Sequence, residues 1–369
     1  MQKPIVIHLI AAARPNFMKV APLYHALKNE PWCRPVIVHT GQHYDANMSD
    51  EFFADLNLPR PDFHLGVGSG GHGETTGRVM IEYERVALEQ RPDWIVVVGD
   101  VNPTAACTMV GVKLGITVAH LEAGLRSSDR SMPEEINRIV TDSIADVLWT
   151  PSPDADANLE SEGIPVERIS RIGNIMIDSY ELMRPAIEAA PPPRDFDPSA
   201  GPYGIVTLHR PSNVDERATL EMLVEQLIAV SKRIRLLFPV HPRTKARLQE
   251  FRLIDRTRDT PGLTLAEPMS YIPFMGLVRR ASLVITDSGG LQEETTYLGI
   301  PCLTLRPNTE RPITIEKGTN RLVSPDCLST HIDEALSGGW PTGRKPDLWD
   351  GRTAERIVKD LKRRSGVDA

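Results

Sequence analysis

The chain has 369 residues, of which 41% are hydrophobic and 25% are charged, and its formal net charge is −7. This length exceeds what one hydrophobic core usually supports, so we expect an ordinary soluble protein with two α/β domains. The acidic balance argues against a surface for nucleic acid or for an anionic membrane, and no apolar run reaches the roughly 18–20 residues of a membrane span.

Short apolar runs alternate with helical patterns from the start of the chain. Continuous Val/Ile/Leu runs predict buried parallel strands at 4–10, 35–40, 93–100, 115–121 and 146–150. Helical periodicity predicts helices at 17–29, 74–90, 103–114 and 133–145. The first stretch, MQKPIVIHLIAAARP, imitates a secretory signal, but its apolar part is short and contains His8. We therefore expect a strand there and no secretory signal.

The same alternation restarts after position 200. Strands are predicted at 203–209, 235–241, 263–268, 282–287 and 301–306, and the Pro-rich stretch 191–203 reads as a linker before them. Strands that alternate with helices on both sides of a linker predict an α/β protein with two doubly wound, Rossmann-like domains facing a cleft. Ligands of such sheets bind at the carboxyl ends of the strands.

Polar residues follow the predicted strands of the first half. Arg14 and Lys19 flank a Pro–Asn turn at a helix start, which favours an anion pocket, although two plain surface cations would look the same. Asp100 stands at a strand tip, either as a helix cap or as a catalytic group.

The stretch HLEAGLRSSDRSMPEEINR (120–138) adds Glu122 at a strand end, and Glu134 and Glu135 at a helix start. One of the two adjacent glutamates is expected to serve only the helix dipole. Because Asp100, Glu122 and Glu134 come from adjacent strand ends, they favour acid/base chemistry.

The second half supplies cations and a glycine-rich turn. His209 and His241 follow two of its strands, and an arginine lies one or two residues after each. The stretch SLVITDSGGLQEET then brings Ser288, Gly289 and Gly290 to a helix start, where backbone N–H groups can bind a phosphate. A plain β–turn–α connection is the alternative. Two further residues complete the candidate set: Glu294 could accept from ribose hydroxyls, and Arg311 could reach a phosphate.

The sequence favours neither a cofactor nor a metal ion. The stretch GVGSGG (66–71) matches GxGxxG, but the next strand-end acid, Asp100, lies farther on than the roughly 20 residues expected of a dinucleotide site. The histidines show no HExxH spacing. The cysteines lie far apart without a CxxC motif, which is typical of reduced packing residues in a cytoplasmic protein.

Taken together, these motifs resemble one family, the non-hydrolysing UDP-N-acetylglucosamine 2-epimerases. The resemblance runs in order over nearly the whole chain. Its segments are ARPNFMK (13–19), TGQHYDANM (40–48), GDVNPT (99–104), HLEAGLRS (120–127), MPEEINR (132–138), GNIMID (173–178), TLHRPSN (207–213), PVHPRT (239–244), SGGLQEE (288–294) and TERP (309–312).

The resemblance implies the two-domain GT-B fold, with residues 1–174 plus 352–369 in the first domain, 175–351 in the second, and a last helix at about 352–364. It implies reversible epimerisation of UDP-GlcNAc at C2, without a cofactor, by elimination of UDP and re-addition through a 2-acetamidoglucal. The resemblance also assigns roles by position. Catalysis falls to Asp100, Glu122, Glu134 and His209, and substrate binding to Arg14, Lys19, His241, Phe274 (stacking on uracil), Ser288, Gly289, Gly290, Glu294 and Arg311.

Some implications of the resemblance stay open. Gln42 and His43 match a second UDP-GlcNAc site that activates some members, but HRPSN replaces the acid-containing stretch near that site. A homodimer is implied, as is a role in cell-surface polysaccharide synthesis. The alternatives are a 2-epimerase of a modified sugar such as a diacetamido-uronate, a GT-B glycosyltransferase, and a two-lobed solute-binding protein.

Overall fold

The computed structural model describes residues 3–41, 53 and 55–367. Within them the chain divides into two compact units. One contains the chain up to Met183 together with the residues from Asp347 onward, and the other contains Arg184–Pro346. Each unit has its own parallel sheet with helices between successive strands, which confirms the predicted pair of Rossmann-like folds.

In the described part of the first unit, the sheet has the strand order β3-β2-β1-β4-β5-β6-β7. Its strands are β1 (Ile5–Ala11), β2 (Cys33–His39), β3 (Phe63–His64), β4 (Trp94–Val98), β5 (Thr117–Leu121), β6 (Val147–Thr150) and β7 (Ile169–Arg171). Its helices are α1 (Arg14–Leu27), α2 (His72–Gln90), α3 (Asn102–Lys113), α4 (Pro133–Ile144), α5 (Pro153–Ser161) and α6 (Ile175–Ala189), with α6 running into the second unit.

In the second unit the strand order is β10-β9-β8-β11-β12-β13. Its strands are β8 (Tyr203–Thr207), β9 (Arg235–Pro239), β10 (Leu263–Ala266), β11 (Leu283–Thr286), β12 (Cys302–Thr304) and β13 (Asn320–Leu322). Its helices are α7 (Pro211–Val214), α8 (Arg217–Ser231), α9 (Pro242–Glu250), α10 (Ile254–Arg258), α11 (Tyr271–Val278), α12 (Leu291–Leu298), α13 (Ile313–Glu316) and α14 (Leu328–Leu336). The final helix, α15 (Thr353–Arg364), belongs to the first unit.

Both sheets reverse their strand progression at one position. In the first unit β1 pairs with β4, and in the second β8 pairs with β11, both in parallel. At such a switch point the connections on either side leave in opposite directions, so the carboxyl ends of the two strands flank a crevice. The fold therefore assigns one candidate binding edge to each unit: the residues after β1 and β4, and the residues after β8 and β11.

Most of the observed strands end earlier than the apolar runs predicted, whereas β5 and β6 end where predicted and β1 extends one residue further. The segment 93–100, for example, is a strand only over Trp94–Val98, because Gly99 adopts a φ of +68°, in the left-handed region that favours glycine. The short strands β3, β7 and β13 were not predicted. Two or three residues are too few for a periodicity to be visible.

The prediction of a linker at 191–203 needs correction. The segment does lie between the two strand series, but it belongs wholly to the second unit. Phe196 is buried, and its ring lies edge-on to Tyr203 at 5.1 Å. Arg235 donates hydrogen bonds to the carbonyl oxygens of Asp197 and Gly201. The prolines therefore shape a packed segment, and the division between the units falls within α6.

Candidate active site

At the switch point of the first sheet, a lysine and a glutamate form a buried ion pair. Lys19 lies on α1, and its Nζ contacts Glu122 Oε2, just beyond β5. The other oxygen of this carboxylate, Oε1, is buried and has no hydrogen-bond partner among the described residues. A Cβ atom at Gly99 would lie 3.3 Å from Lys19 Nζ, so glycine leaves room for the pair. Glu122 thus keeps one oxygen available for a ligand.

Asn16 connects the start of α1 to the end of β4. Its Oδ1 accepts a hydrogen bond of 2.9 Å from the N–H of Ala13, and its Nδ2 donates one of 3.0 Å to the carbonyl oxygen of Val98. These bonds fix the register between the helix that carries Lys19 and the strand that precedes Asp100. Arg14 is the first residue of the helix, and its side chain lies outside the described part of the structure.

Asp100 shares a guanidinium with one of the paired glutamates. Arg138, buried on α4, contacts Asp100 through Nη1 and donates to Glu135 Oε2 at 2.6 Å through Nη2. Glu135 also accepts from the N–H groups of Ser127 and Ser128. Burial tends to raise the pKa of Glu135, but these hydrogen bonds and Arg138 outweigh it and lower the pKa. Glu135 therefore holds the loop before α4 in place, which is more than the helix-dipole role expected of one of the two glutamates.

Glu134 differs from its neighbour. It lies in the first turn of α4 and is exposed, and within the described residues its side chain forms no ion pair or hydrogen bond. The two adjacent residues therefore differ in their surroundings. The side chain of Glu135 is bound by other groups of the fold, whereas that of Glu134 is available for a ligand.

A buried network supports the HLEAGLRS loop, and the sequence did not predict it. His120 Nδ1 lies 2.6 Å from Asp142 Oδ1, and its Nε2 lies 2.8 Å from the carbonyl oxygen of Gly99. Asp142 also contacts Arg126 at 2.7 Å and accepts from the N–H of Gly124. Burial tends to raise the pKa of Asp142, but His120 and Arg126 outweigh this effect and lower it. This network fixes the backbone on both sides of Glu122.

In the second unit, His209 is paired with a fully buried carboxylate. Asp287 directly follows β11, and its Oδ1 lies 2.8 Å from His209 Nδ1. Its Oδ2 accepts from the N–H groups of His209 and Arg210, each at 2.9 Å, and from Asn213 Nδ2 at 3.1 Å. The side chain of His209 is 40% exposed, whereas that of Asp287 is 0% exposed.

His241 lies beside His209, with ring centroids 5.7 Å apart. It caps α9, because its Nδ1 accepts a hydrogen bond from the N–H of Arg243. This bond assigns the ring proton of neutral His241 to Nε2, which is a donor. Burial lowers the pKa of His241, and the neighbouring His209 lowers it further. The two histidines therefore lie together at the switch point of the second sheet.

The SGG turn is surrounded by arginines and acids. A Cβ atom at Gly289 would lie 2.9 Å from Glu310 Oε1 and 3.2 Å from Arg311 Nη1, so only glycine fits there without displacement. At Gly290 no atom lies within 4 Å of such a Cβ, which leaves this side of the turn open. Arg306 is buried and donates to Glu310 at 2.9 Å, and Arg311 contacts Glu310 and Glu293. Arg306 and Glu310 were not predicted as parts of this site.

Glu294 lies one turn into α12 and is buried. Tyr271, the first residue of α11, donates a hydrogen bond of 2.6 Å to Glu294 Oε1. Burial raises the pKa of Glu294 to about 7, and the bond from Tyr271 offsets only part of this effect. Phe274 is half-buried on the same short helix as Tyr271. The bond therefore fixes the helix that carries the predicted uracil contact to the helix that carries the predicted ribose contact.

Some predictions fall where the structure gives no test. Gln42 and His43 lie outside the described residues. Among the residues that are described, no group of three or more His, Cys, Asp or Glu side chains is arranged to hold a metal ion. In the same part of the chain, no helix is long and apolar enough to cross a bilayer.

The two units present different functional groups at their sheet edges. In the first unit, Asp100, Glu122 and Glu134 follow β4 and β5 or begin the next helix, and each has a carboxylate oxygen that is exposed or unpaired. In the second unit, histidine rings, arginines and the open SGG turn lie at one sheet edge. Such groups suit proton transfer in the first case and anion binding in the second.

Two Rossmann-like units with these sheet edges define an α/β enzyme of the GT-B class. The sequence model of the UDP-N-acetylglucosamine 2-epimerase family matches residues 25–362. The chain belongs to this family.

Similar proteins extend the family assignment over the whole chain. The UDP-N-acetylglucosamine 2-epimerase of Methanocaldococcus jannaschii is 42% identical over 367 residues, which cover 96% of this chain and 98% of that protein. A crystal structure of that enzyme in complex with UDP-GlcNAc and UDP has a TM-score of 0.84 at 40% identity, covering 97% of this chain and 99% of the other. The UDP-2,3-diacetamido-2,3-dideoxy-D-glucuronate 2-epimerase of Pseudomonas aeruginosa is 38% identical over 317 residues, 85% of this chain and 87% of that enzyme.

Proposed function

We propose that this protein interconverts UDP-GlcNAc and UDP-ManNAc by inverting the configuration at C2 of the sugar. The observation that carries the proposal is the match to the 2-epimerase family over residues 25–362, in a chain whose candidate carboxylates have unpaired or exposed oxygens. The relatives named for either candidate substrate share the words 2-epimerase and UDP in their names. The common reaction is therefore inversion at C2 of a UDP-sugar.

The chemistry accounts for the division between acids and cations. The C2–H of the sugar is not acidic by itself, but departure of UDP from C1 creates oxocarbenium character that makes this proton removable. A carboxylate takes the C2 proton as the C1–O bond breaks, which leaves a 2-acetamidoglucal and UDP. Return of a proton to the other face of C2, with attack of the UDP oxygen on C1, gives the epimer. Cations stabilise the charge on the departing diphosphate.

We assign the proton transfers to two of Asp100, Glu122 and Glu134, and stabilisation of the cation to the third. Glu122 Oε1 is buried without a hydrogen-bond partner among the described residues, which is a suitable state for a base. His209 is assigned to the departing phosphate, which it stabilises or protonates. The nucleotide is assigned to the second unit, where the SGG turn and Glu294 lie.

A second substrate is favoured by one observation, the 38% identity to an enzyme named for a diacetamido-glucuronate. The two substrates differ at positions 3 and 6 of the sugar. Turnover of each purified UDP-sugar under identical conditions decides between them. A preference for the diacetamido-uronate would overturn the choice of UDP-GlcNAc but leave the 2-epimerase reaction intact.

The reaction itself is tested with UDP-GlcNAc as the only organic substrate, in heavy water. We expect UDP-ManNAc to form without an acceptor and to carry deuterium at C2, because the removed proton is replaced from solvent. Product without the label would exclude elimination and re-addition with solvent exchange. A requirement for an acceptor would instead favour a glycosyltransferase.

We further propose a homodimer in the cytoplasm that supplies a sugar for cell-surface polysaccharides. Ile81 and Leu88 lie two turns apart on α2, and they are 54% and 50% exposed. Residues at this spacing share one helix face, so a second copy of the chain could cover them. Sedimentation of the wild type and of Ile81→Lys tests this surface. A dimer that survives the substitution unchanged would contradict it.

A further inference from the structure

The buried Asp287 lies where the two strands at the switch point of the second sheet end. It follows β11 directly and precedes the SGG turn, and its carboxylate reaches across to the residues after β8. None of the proposed steps uses this acid. A carboxylate with 0% exposure requires strong partners, because an unpaired charge is strongly destabilising when it is buried.

The two oxygens of Asp287 have different partners. Oδ2 accepts from the backbone N–H groups of His209 and Arg210 and from Asn213 Nδ2, so it fixes the loop that follows β8. Oδ1 lies 2.8 Å from Nδ1 of the His209 ring and 3.1 Å from the backbone nitrogen of the same residue. One carboxylate therefore fixes both the backbone and the ring of His209.

The contact with the ring determines its tautomer. Burial tends to raise the pKa of Asp287, but the hydrogen bond and charge of His209 and the backbone N–H groups outweigh it and lower the pKa. An ionised carboxylate only accepts hydrogen bonds, so Nδ1 must carry a proton. Nε2 is then the nitrogen that can exchange a proton or donate to an oxygen of a ligand.

We propose that Asp287 is a positioning residue that acts through His209, holding the ring with Nδ1 protonated and Nε2 directed to the diphosphate of the substrate. This inference rests on the proposed function, in which His209 acts on the departing phosphate. Because Asp287 also precedes Ser288, it connects the ring that assists departure of UDP to the turn assigned to UDP binding.

A double-mutant cycle separates positioning from a general structural role. Asp287→Asn keeps the size of the side chain but removes the charge that fixes the tautomer. We expect it to lower kcat by about 10²–10⁴-fold, with the dissociation constant of UDP changed less than about threefold. In a His209→Gln background the same substitution should lower kcat by less than about threefold, because the ring it acts on is gone.

Asn213→Ala is the matched control. It removes a partner of Oδ2 and leaves the Oδ1–Nδ1 contact in place. If Asp287 acts on the ring, this variant loses much less turnover than Asp287→Asn. Equal losses in the two variants, or an undiminished effect of Asp287→Asn without His209, would mean that the acid only maintains the loop and would overturn the inference.

A measurement on the wild-type protein keeps the inference testable if Asp287→Asn does not fold. Carbon and nitrogen NMR shifts of the His209 ring report its tautomer. We expect the neutral ring to carry its proton on Nδ1, and a ring with its proton on Nε2 would overturn the proposal. This result does not depend on turnover. An inactive wild type with the expected tautomer would refute only the proposed function, whereas an active Asp287→Asn variant would refute only the inference.

Discussion

The two candidate edges carry opposite arrangements of charge on the same topology. In the first unit, cations hold acids: Lys19 contacts Glu122, and Arg138 contacts Asp100. In the second unit, acids hold donors: Glu310 contacts Arg311, and Asp287 contacts the His209 ring. The group that each edge leaves available is therefore a carboxylate in one case and a donor in the other.

This difference shows that the switch point of a Rossmann-like sheet specifies where functional groups meet and leaves their chemistry open. Both edges are built from residues that follow paired parallel strands. The first edge became suited to proton transfer and the second to anions because different residues occupy equivalent positions. Substitutions at each edge test whether the first unit transfers protons and the second binds the anion.

The largest effect is expected from the acids of the first unit. Asp100→Asn and Glu122→Gln should each lower kcat by about 10²–10⁴-fold, because each removes a group assigned to the C2 proton or to the cation. The dissociation constant of UDP, measured by calorimetry, should change little, since the nucleotide is assigned to the second unit. A parallel loss of UDP binding would contradict the assignment of the nucleotide to the second unit alone.

A large loss of stability is expected when the buried network below Glu122 is interrupted. Asp142→Ala removes the buried carboxylate that pairs with both His120 and Arg126 and should lower the free energy of unfolding by about 3–5 kcal/mol, as measured with urea. Because the pKa of Asp142 is lowered by folding, this contribution exists above its unfolded pKa and disappears as the pH falls through the folded pKa.

The control for Asp142→Ala is Asp333→Ala. It removes the exposed ion pair with Arg233 and should cost less than about 1 kcal/mol. Similar losses in both variants would mean that burial does not distinguish the two pairs.

The adjacent glutamates of α4 are expected to differ in their effects on stability and turnover. Glu135→Gln should lower the free energy of unfolding by about 1.5–3 kcal/mol, because a charge-assisted bond to Arg138 is lost. Glu134→Gln should leave stability within about 0.5 kcal/mol of the wild type, since its side chain is exposed, and should lower kcat. The reverse pattern would exchange the roles of the two residues.

The smallest effect is expected from the pH dependence of UDP binding. Glu294, with its pKa raised to about 7, becomes ionised as the pH rises, and only the carboxylate accepts fully from ribose hydroxyls. Between pH 6 and pH 8 its ionised fraction rises about tenfold, so UDP should bind up to about tenfold more tightly at pH 8. At each pH, the dissociation constant of UDP for the wild type is divided by that for Glu294→Gln. This ratio cancels the effect of the ionisation of UDP itself, because that effect is the same for both proteins. A ratio independent of pH would contradict the assignment.

The order and type of most elements, and the location of the polar motifs at strand ends, could be predicted from the sequence alone. Both are local properties: continuous apolar runs predict buried parallel strands, and glycine with polar residues predicts where they end. The family followed from motifs that are contiguous in the chain, such as HLEAGLRS and SGGLQEE.

The pairing of the charged groups could not be predicted from the sequence and depends on the folded structure. His120 pairs with Asp142, and His209 pairs with Asp287, across 22 and 78 residues of sequence. Nothing local distinguishes Glu134 from Glu135 either, because their difference depends on whether Arg138 and the loop before α4 reach the side chain. Such pairs follow from strand register and helix packing, which are long-range, and burial then determines which charges are held by the fold and which remain for chemistry.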